Sequence, residues 1–351
     1  MSILSLILPV ITAISLFFYI FSAERAYLPK KGTIEWIERA SSKKRMKADI
    51  KLDFKWKDLI ICMGIIIVYS AVYSFYSNEF LSFELRPLIA FICQSVFVGV
   101  IYIFAKMLFK NRVTAFFASA MAAANLTPLF STNNIEAPLL LLLTVFFVIL
   151  AAEYTWSLVP AGLAFAFAVN FAPASILFSI LALCPAVMAQ KRHKSSRAVL
   201  LWIIYFVVLP VAVLFWNRDF SVAFSFAHFT AQPVYDAVTA VCLIITVIHI
   251  FKDKSYPALF IAVGLIAANA CRAAGYNFTH IFSCLAMAYP ASIIIKRGKK
   301  AHRVFCIIFG SVMLLMFLLT VAHCVLKDYA PQFAFDVKDV FNYVFPFVTY
   351  Y

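Results

Sequence analysis

At 351 residues, 64% apolar and only 13% charged, with a mean hydropathy of +0.94, the chain is too greasy to cover a water-facing surface. An ordinary soluble domain is about half apolar and about a quarter charged, so a soluble enzyme is excluded. Disorder is excluded too, because 38 Phe and 16 Tyr leave too few solvated residues to keep the chain open. What remains is a polytopic membrane protein, in which a formal charge of +14 calls for an account by placement.

Apolar runs separated by polar or basic breaks predict twelve spans: 2–22, 59–76, 88–109, 113–130, 137–152, 157–171, 174–189, 199–216, 236–251, 257–273, 280–295 and 304–326. Each approaches the roughly 20 residues a transmembrane helix needs. The alternation of a barrel is absent, so the expected fold class is all-α, a multi-pass helical bundle of about twelve spans without a large soluble domain. Four regions follow: an N-terminal helix (1–23), a basic segment (24–58), the polytopic membrane domain (59–326) and an aromatic tail (327–351). The runs 137–152 and 157–171 are short and border Pro138, Pro160 and Pro173. A broken or re-entrant pair there would remove two crossings together.

Lys and Arg set the orientation, since short loops rich in them stay cytoplasmic. Residues 24–58 carry eleven, and basic breaks recur at every second connection: Lys106 to Arg112, Lys191 to Arg197, Lys252 and Lys254, and Lys296 to Arg303. This puts 25 of the 30 basic residues on one side, and both termini outside. The inner face then carries +17 and the outer face −3, so the excess charge is an orientation signal and implies no nucleic-acid partner. The first span lacks a basic n-region and a small-residue cleavage site, which makes it a retained helix. The 24–58 segment fits either an interfacial helix on anionic lipid, with Trp36 and Trp56 at the headgroups, or a solvated loop. Eight cysteines show no CxxC spacing, and no metal site is expected from them. Cys271 and Cys284 lie near the same face, where a disulfide is open to them without being required.

The informative polar residues lie on the sparse outer side. One loop runs Ser77-Asn78-Glu79-Phe80-Leu81-Ser82-Phe83-Glu84-Leu85-Arg86-Pro87, and another Ser131-Thr132-Asn133-Asn134-Ile135-Glu136-Ala137-Pro138. Each sets a carboxylate at the mouth of adjacent helices, where it serves either as a base or head-group contact or as a helix cap; Asn134 or Glu136 would cap the span near Pro138. Arg272, Tyr276, Asn277, Thr279 and His280 form a polar connection. The Arg272 fork matches a phosphate, but equally a nearby carboxylate. His228 and His323 stand alone. In the tail, Val337, Val340, Phe341 and Val344 make one apolar helical stripe suited to the outer interface, ahead of the aromatic run Phe345 to Tyr351.

Three stretches taken together resemble a known family: Ala105 to Arg112, Asn125 to Ser131, and Asn134 to Leu139. They resemble the third-helix region of the glycosyltransferase C superfamily, and look most like the protein O-mannosyltransferase-like enzymes of bacteria. Gly162 to Phe165 with Phe171-Ala172-Pro173, Tyr276 to His280 through Ala288-Tyr289-Pro290-Ala291, and the aromatic tail are similar to later blocks of that pattern. The resemblance covers about residues 55 to 351 and implies an eleven-helix core behind the extra first helix. It implies a polyprenyl-phosphate sugar as donor in the outer leaflet, with membrane lipid and a glycan, lipid or protein acceptor as partners, and no cofactor named; a divalent metal stays open. By position it makes Glu79 the base and Glu136 a second acidic residue. Asn78, Glu84, Arg86, Asn134, Arg272, Tyr276 and His280 become substrate contacts, with Arg272 on the phosphate. The first loop is about eleven residues, with Asn78 where the family carries an acidic partner in a longer loop. That difference keeps a second reading, an inactive relative that binds lipid-linked glycan or supports a partner enzyme. A transporter stands third, since no mid-span charge relay or inverted repeat is visible.

Overall fold

The computed structural model describes residues 50, 55–76, 85–124, 129–130, 134–193, 196–217, 233–297, 300–301, 303–308 and 311. The expected span 2–22, most of 24–58, the loop holding Asn78, Glu79 and Glu84, most of 304–326 and the tail lie outside the described residues. Within them the regular elements are helices. In chain order these are α1 (Trp56–Tyr76), α2 (Leu85–Phe109), α3 (Arg112–Ala124), α4 (Glu136–Ala151), α5 (Leu158–Phe171) and α6 (Ser179–His193). Next come α7 (Arg197–Trp202), a π-helical turn (Ile203–Val208), α8 (Leu209–Asn217), α9 (Pro233–Asp253), α10 (Tyr256–Ala273) and α11 (Thr279–Arg297). Turns of 3-10 helix at Thr155–Ser157 and Pro173–Phe178 lead into α5 and α6. Among the described residues four stretches are long and apolar enough to cross a membrane: Leu85–Phe109, Pro173–Gln190, Arg197–Trp216 and Tyr256–Ala273.

Apolar periodicity and proline position explain the boundaries. Pro138 and Pro160 are each the third residue of their helix, where the backbone N–H has no intrahelical acceptor to lose, so they start α4 and α5 without breaking them. At 1.5 Å per residue these two helices are only about 24 and about 21 Å long, shorter than the ~30 Å hydrocarbon core. Of the expected span 113–130, the described helix covers Arg112–Ala124, and Leu129 and Phe130 stand outside it.

The pairs α1–α2, α2–α3, α4–α5, α6–α7, α9–α10 and α10–α11 pack as sequence neighbours, and α11 also lies against α2, α3 and α9. The core runs between α2, α3, α4, α5, α10 and α11, filled by Phe97, Tyr102, Phe104, Phe165, Phe260 and Phe282. Both faces of α2 are apolar. On α2, Leu85, Leu88, Ile89, Ile92 and Val96 point outward at helical spacing while Phe97, Val98, Ile101 and Ala105 are buried. Such a stripe suits lipid, not water. Close approach is set by glycine: a Cβ on Gly264 would strike the Phe282 ring, and one on Gly162 would strike Tyr205 in the π-helical turn.

Two turns share one construction. Lys110 takes a left-handed conformation (φ 58°) after α2, and the Asn111 side chain then accepts from the N–H groups of Val113 (2.8 Å) and Thr114 (3.1 Å) at the start of α3. Lys254 (φ 48°) closes α9, and Ser255 caps α10 by accepting from Ala258 N–H at 3.4 Å. Each turn reverses the chain within a few residues, leaving a lysine in the place usually held by glycine. Beside Lys110, the fully buried Asp58 draws α1, α2 and α3 together. Its carboxylate accepts from Arg112 Nε (2.7 Å) and Nη2 (3.3 Å), Tyr102 Oη (3.1 Å) and Lys55 N–H (3.1 Å). A carboxylate so surrounded stays ionised, because every proton aimed at it favours the charged form.

Candidate functional site

At the ends remote from Lys110 and Lys254, the described residues gather polar groups in two places. The first joins the starts of α2 and α4, where Arg86 Nη2 lies 3.7 Å from Glu136 Oε1 with both side chains well exposed. An exposed pair at that distance contributes little to stability. The other Glu136 oxygen accepts from Ile135 N–H at 3.2 Å. Ile135 holds the cap position of α4 and has no side-chain cap bond. Asn134 therefore does not take the capping role open to it in the sequence, and Glu136 serves the helix start from its first turn. Deeper on α2, the buried Gln94 donates to Tyr69 Oη (3.4 Å) and accepts from the N–H groups of Leu129 (2.9 Å) and Phe130 (3.4 Å). A backbone that has left α3 is thus satisfied by one side chain.

The second place lies where α9, α10 and α11 meet. Arg272, near the end of α10, is only 4% exposed. Its Nη1 donates to Asp236 Oδ1, in the first turn of α9, at 2.7 Å. A guanidinium this deep needs a carboxylate, since an unpaired buried charge is strongly destabilising. His280, at the start of α11, is buried within the electrostatic reach of Arg272. Gly275 (φ 90°) ends α10, and Asn277 Oδ1 accepts from Thr279 Oγ1 (2.6 Å) and N–H (3.3 Å) to turn the chain into α11. Tyr276, between them, stacks on Phe278 with centroids 6.3 Å apart. Phe278 in turn meets Phe178 edge-on, so the vertex rests on an aromatic layer.

Of the residues singled out in the sequence, the fold brings Arg86 to Glu136 and places Arg272, Tyr276 and His280 at one vertex; Asn78, Glu79 and Glu84 lie outside the described residues. Asp236 and Gln94, which join separate helices here, read in sequence as one more outer carboxylate and one more polar residue in an apolar run. Cys271 and Cys284 are free thiols, donating to the carbonyls of Ala174 (3.1 Å) and His280 (2.9 Å). Chemically, the vertex offers a cation and a carboxylate at the mouth of an apolar bundle, a setting for an anionic or polar head carried on a lipid. Compared with known proteins, the chain matches no family model, no curated protein and no solved structure.

Proposed function

We propose that the chain is an integral-membrane glycosyltransferase that moves a sugar from a polyprenyl-phosphate donor to an acceptor on the extracytoplasmic face. The observation that carries this reading is the buried Arg272, held by Asp236 at the mouth of a lipid-facing bundle. The charge asymmetry of the loops and the resemblance to the glycosyltransferase C superfamily support it. In this reading the chain crosses the cell membrane twelve times with both termini extracytoplasmic, and the Lys110 and Lys254 turns are cytoplasmic.

The donor is lipid-soluble, so no nucleotide site is needed. An acceptor hydroxyl attacks the anomeric carbon, forming a new C–O bond, while the bond from that carbon to the phosphate oxygen breaks. The electron pair leaves with the phosphate, whose charge Arg272 stabilises, and the acceptor proton passes to Glu79. Arg86, held by Glu136, stands at the neighbouring helix starts together with Asn134. Asn78, Glu84, Tyr276 and His280 complete the proposed substrate contacts.

The test is transfer of a labelled hexose from a polyprenyl-phosphate donor by purified protein. Glu79→Gln is expected to lower the rate about 100-fold or more with protein yield unchanged. Full activity in that variant removes Glu79 from the base role. Glu136 is already engaged by Arg86 and Ile135, an arrangement that favours the inactive-relative reading. Donor binding with no product from any acceptor would decide for that alternative.

A further inference from the structure

The vertex holds two buried polar atoms that have no hydrogen-bond partner among the described residues. One is Asp236 Oδ2, the oxygen not used by Arg272; the other is Thr239 Oγ1. Thr239 is only 7% exposed, and at three residues from Asp236 it lies on the same face of α9, one turn deeper. A buried hydroxyl or carboxylate oxygen left unmatched costs about 1–3 kcal/mol, so such a pair is retained where something else fills it.

Other threonines of the bundle show that Thr239 had an alternative. On the same helix Thr246 Oγ1 donates to Cys242 O at 2.7 Å, and on α4 Thr144 Oγ1 donates to Leu140 O at 2.8 Å. These are the usual bonds to the carbonyl four residues back, the cheapest way for a threonine to hide its hydroxyl in an apolar helix. Thr239 does not make that bond. Its hydroxyl and the spare Asp236 oxygen instead form a donor-acceptor couple beside a buried cation, all on one mouth of the bundle. At this couple a phosphate leaves the spare Asp236 oxygen unmatched, because it brings acceptors only. One sugar hydroxyl donates to the carboxylate oxygen and another accepts from the threonine, so a ring carrying several hydroxyls supplies both partners.

We infer that Asp236 and Thr239 form a subsite for ring hydroxyls of a sugar, next to the Arg272 position that takes the phosphate. The inference rests on the glycosyltransferase reading and names the part of the site that distinguishes a glycosylated lipid from the bare lipid phosphate.

The experiment measures binding of two probes to the full chain in lipid nanodiscs: polyprenyl phosphate, and the same lipid phosphate carrying one hexose. Wild type should prefer the hexose lipid by about threefold to tenfold, the size of one or two buried hydrogen bonds. Thr239→Val keeps the shape, removes the hydroxyl and leaves the Arg272–Asp236 pair intact; it should abolish that preference, and Thr239→Ser should restore it. Competition by a methyl hexoside that weakens in Thr239→Val, without change in the lipid preference, would assign the same subsite to the acceptor sugar. Equal affinity of wild type for both lipids, with no hexoside competition, overturns the subsite while the enzyme reading stands. So does a preference that survives Thr239→Val when hexoside competition is unchanged as well. Failure of wild type to bind either lipid overturns the enzyme reading, and the subsite with it.

Discussion

Asp58 shows how much one residue can hold in a bundle with few polar contacts. It is fully buried, and Arg112, Tyr102 and Lys55 all donate to it, so removing the carboxylate strands a guanidinium and a phenol in one step. Asp58→Ala should destabilise the protein by about 3–5 kcal/mol, the cost of breaking a buried pair, read as a large drop in melting temperature in detergent. An unchanged melting temperature would remove it from that role. The cap is a smaller effect at the same place: Asn111→Ala should cost about 1 kcal/mol, since two N–H groups at the start of α3 lose their acceptor. None of this was legible in the sequence, where Asp58 and Arg112 read only as members of charged breaks. Sequence tells which end of a span a residue occupies, and not the direction around the helix in which it points. For the same reason Arg272 was legible as a candidate cation, but its pairing with Asp236, 36 residues away, was not.

Elements were more legible than contacts. Lys, Arg, Asn and Pro interrupt the apolar runs, and α1, α2, α9, α10 and α11 begin and end within about three residues of those interruptions, as expected where lipid sets the length. The exception is α3, for which the described helix covers Arg112–Ala124 while Leu129 and Phe130, at the end of the expected run, stand outside it. What sets the distance between helices is equally hidden in composition. Gly264 lets α10 approach the Phe282 ring so closely that no other residue fits. Gly264→Ala should therefore cost about 1–3 kcal/mol through overpacking. Adding Phe282→Leu should recover part of that loss, and a double-mutant cycle with no coupling would contradict the contact.

For the whole molecule, the proposed direction through the membrane rests on the loop charges. In a cysteine-free background, single cysteines at Lys110→Cys and Lys254→Cys should react with a membrane-impermeant maleimide only after the cells are opened. Arg86→Cys and Tyr276→Cys should react in intact cells, and the reverse pattern would invert the orientation. In the proposed orientation Arg272, Asp236 and Thr239 would lie at the mouth facing away from the cytoplasm, where a lipid-borne sugar would be handed over. The decisive measurement is made on purified wild-type protein in lipid vesicles supplied with a labelled polyprenyl-phosphate hexose and a panel of glycan, lipid and peptide acceptors. The account predicts labelled acceptor and free polyprenyl phosphate in equal amounts, with Arg272→Gln slowing their formation at least about 100-fold. No labelled product from any acceptor, with the donor recovered intact, would contradict it.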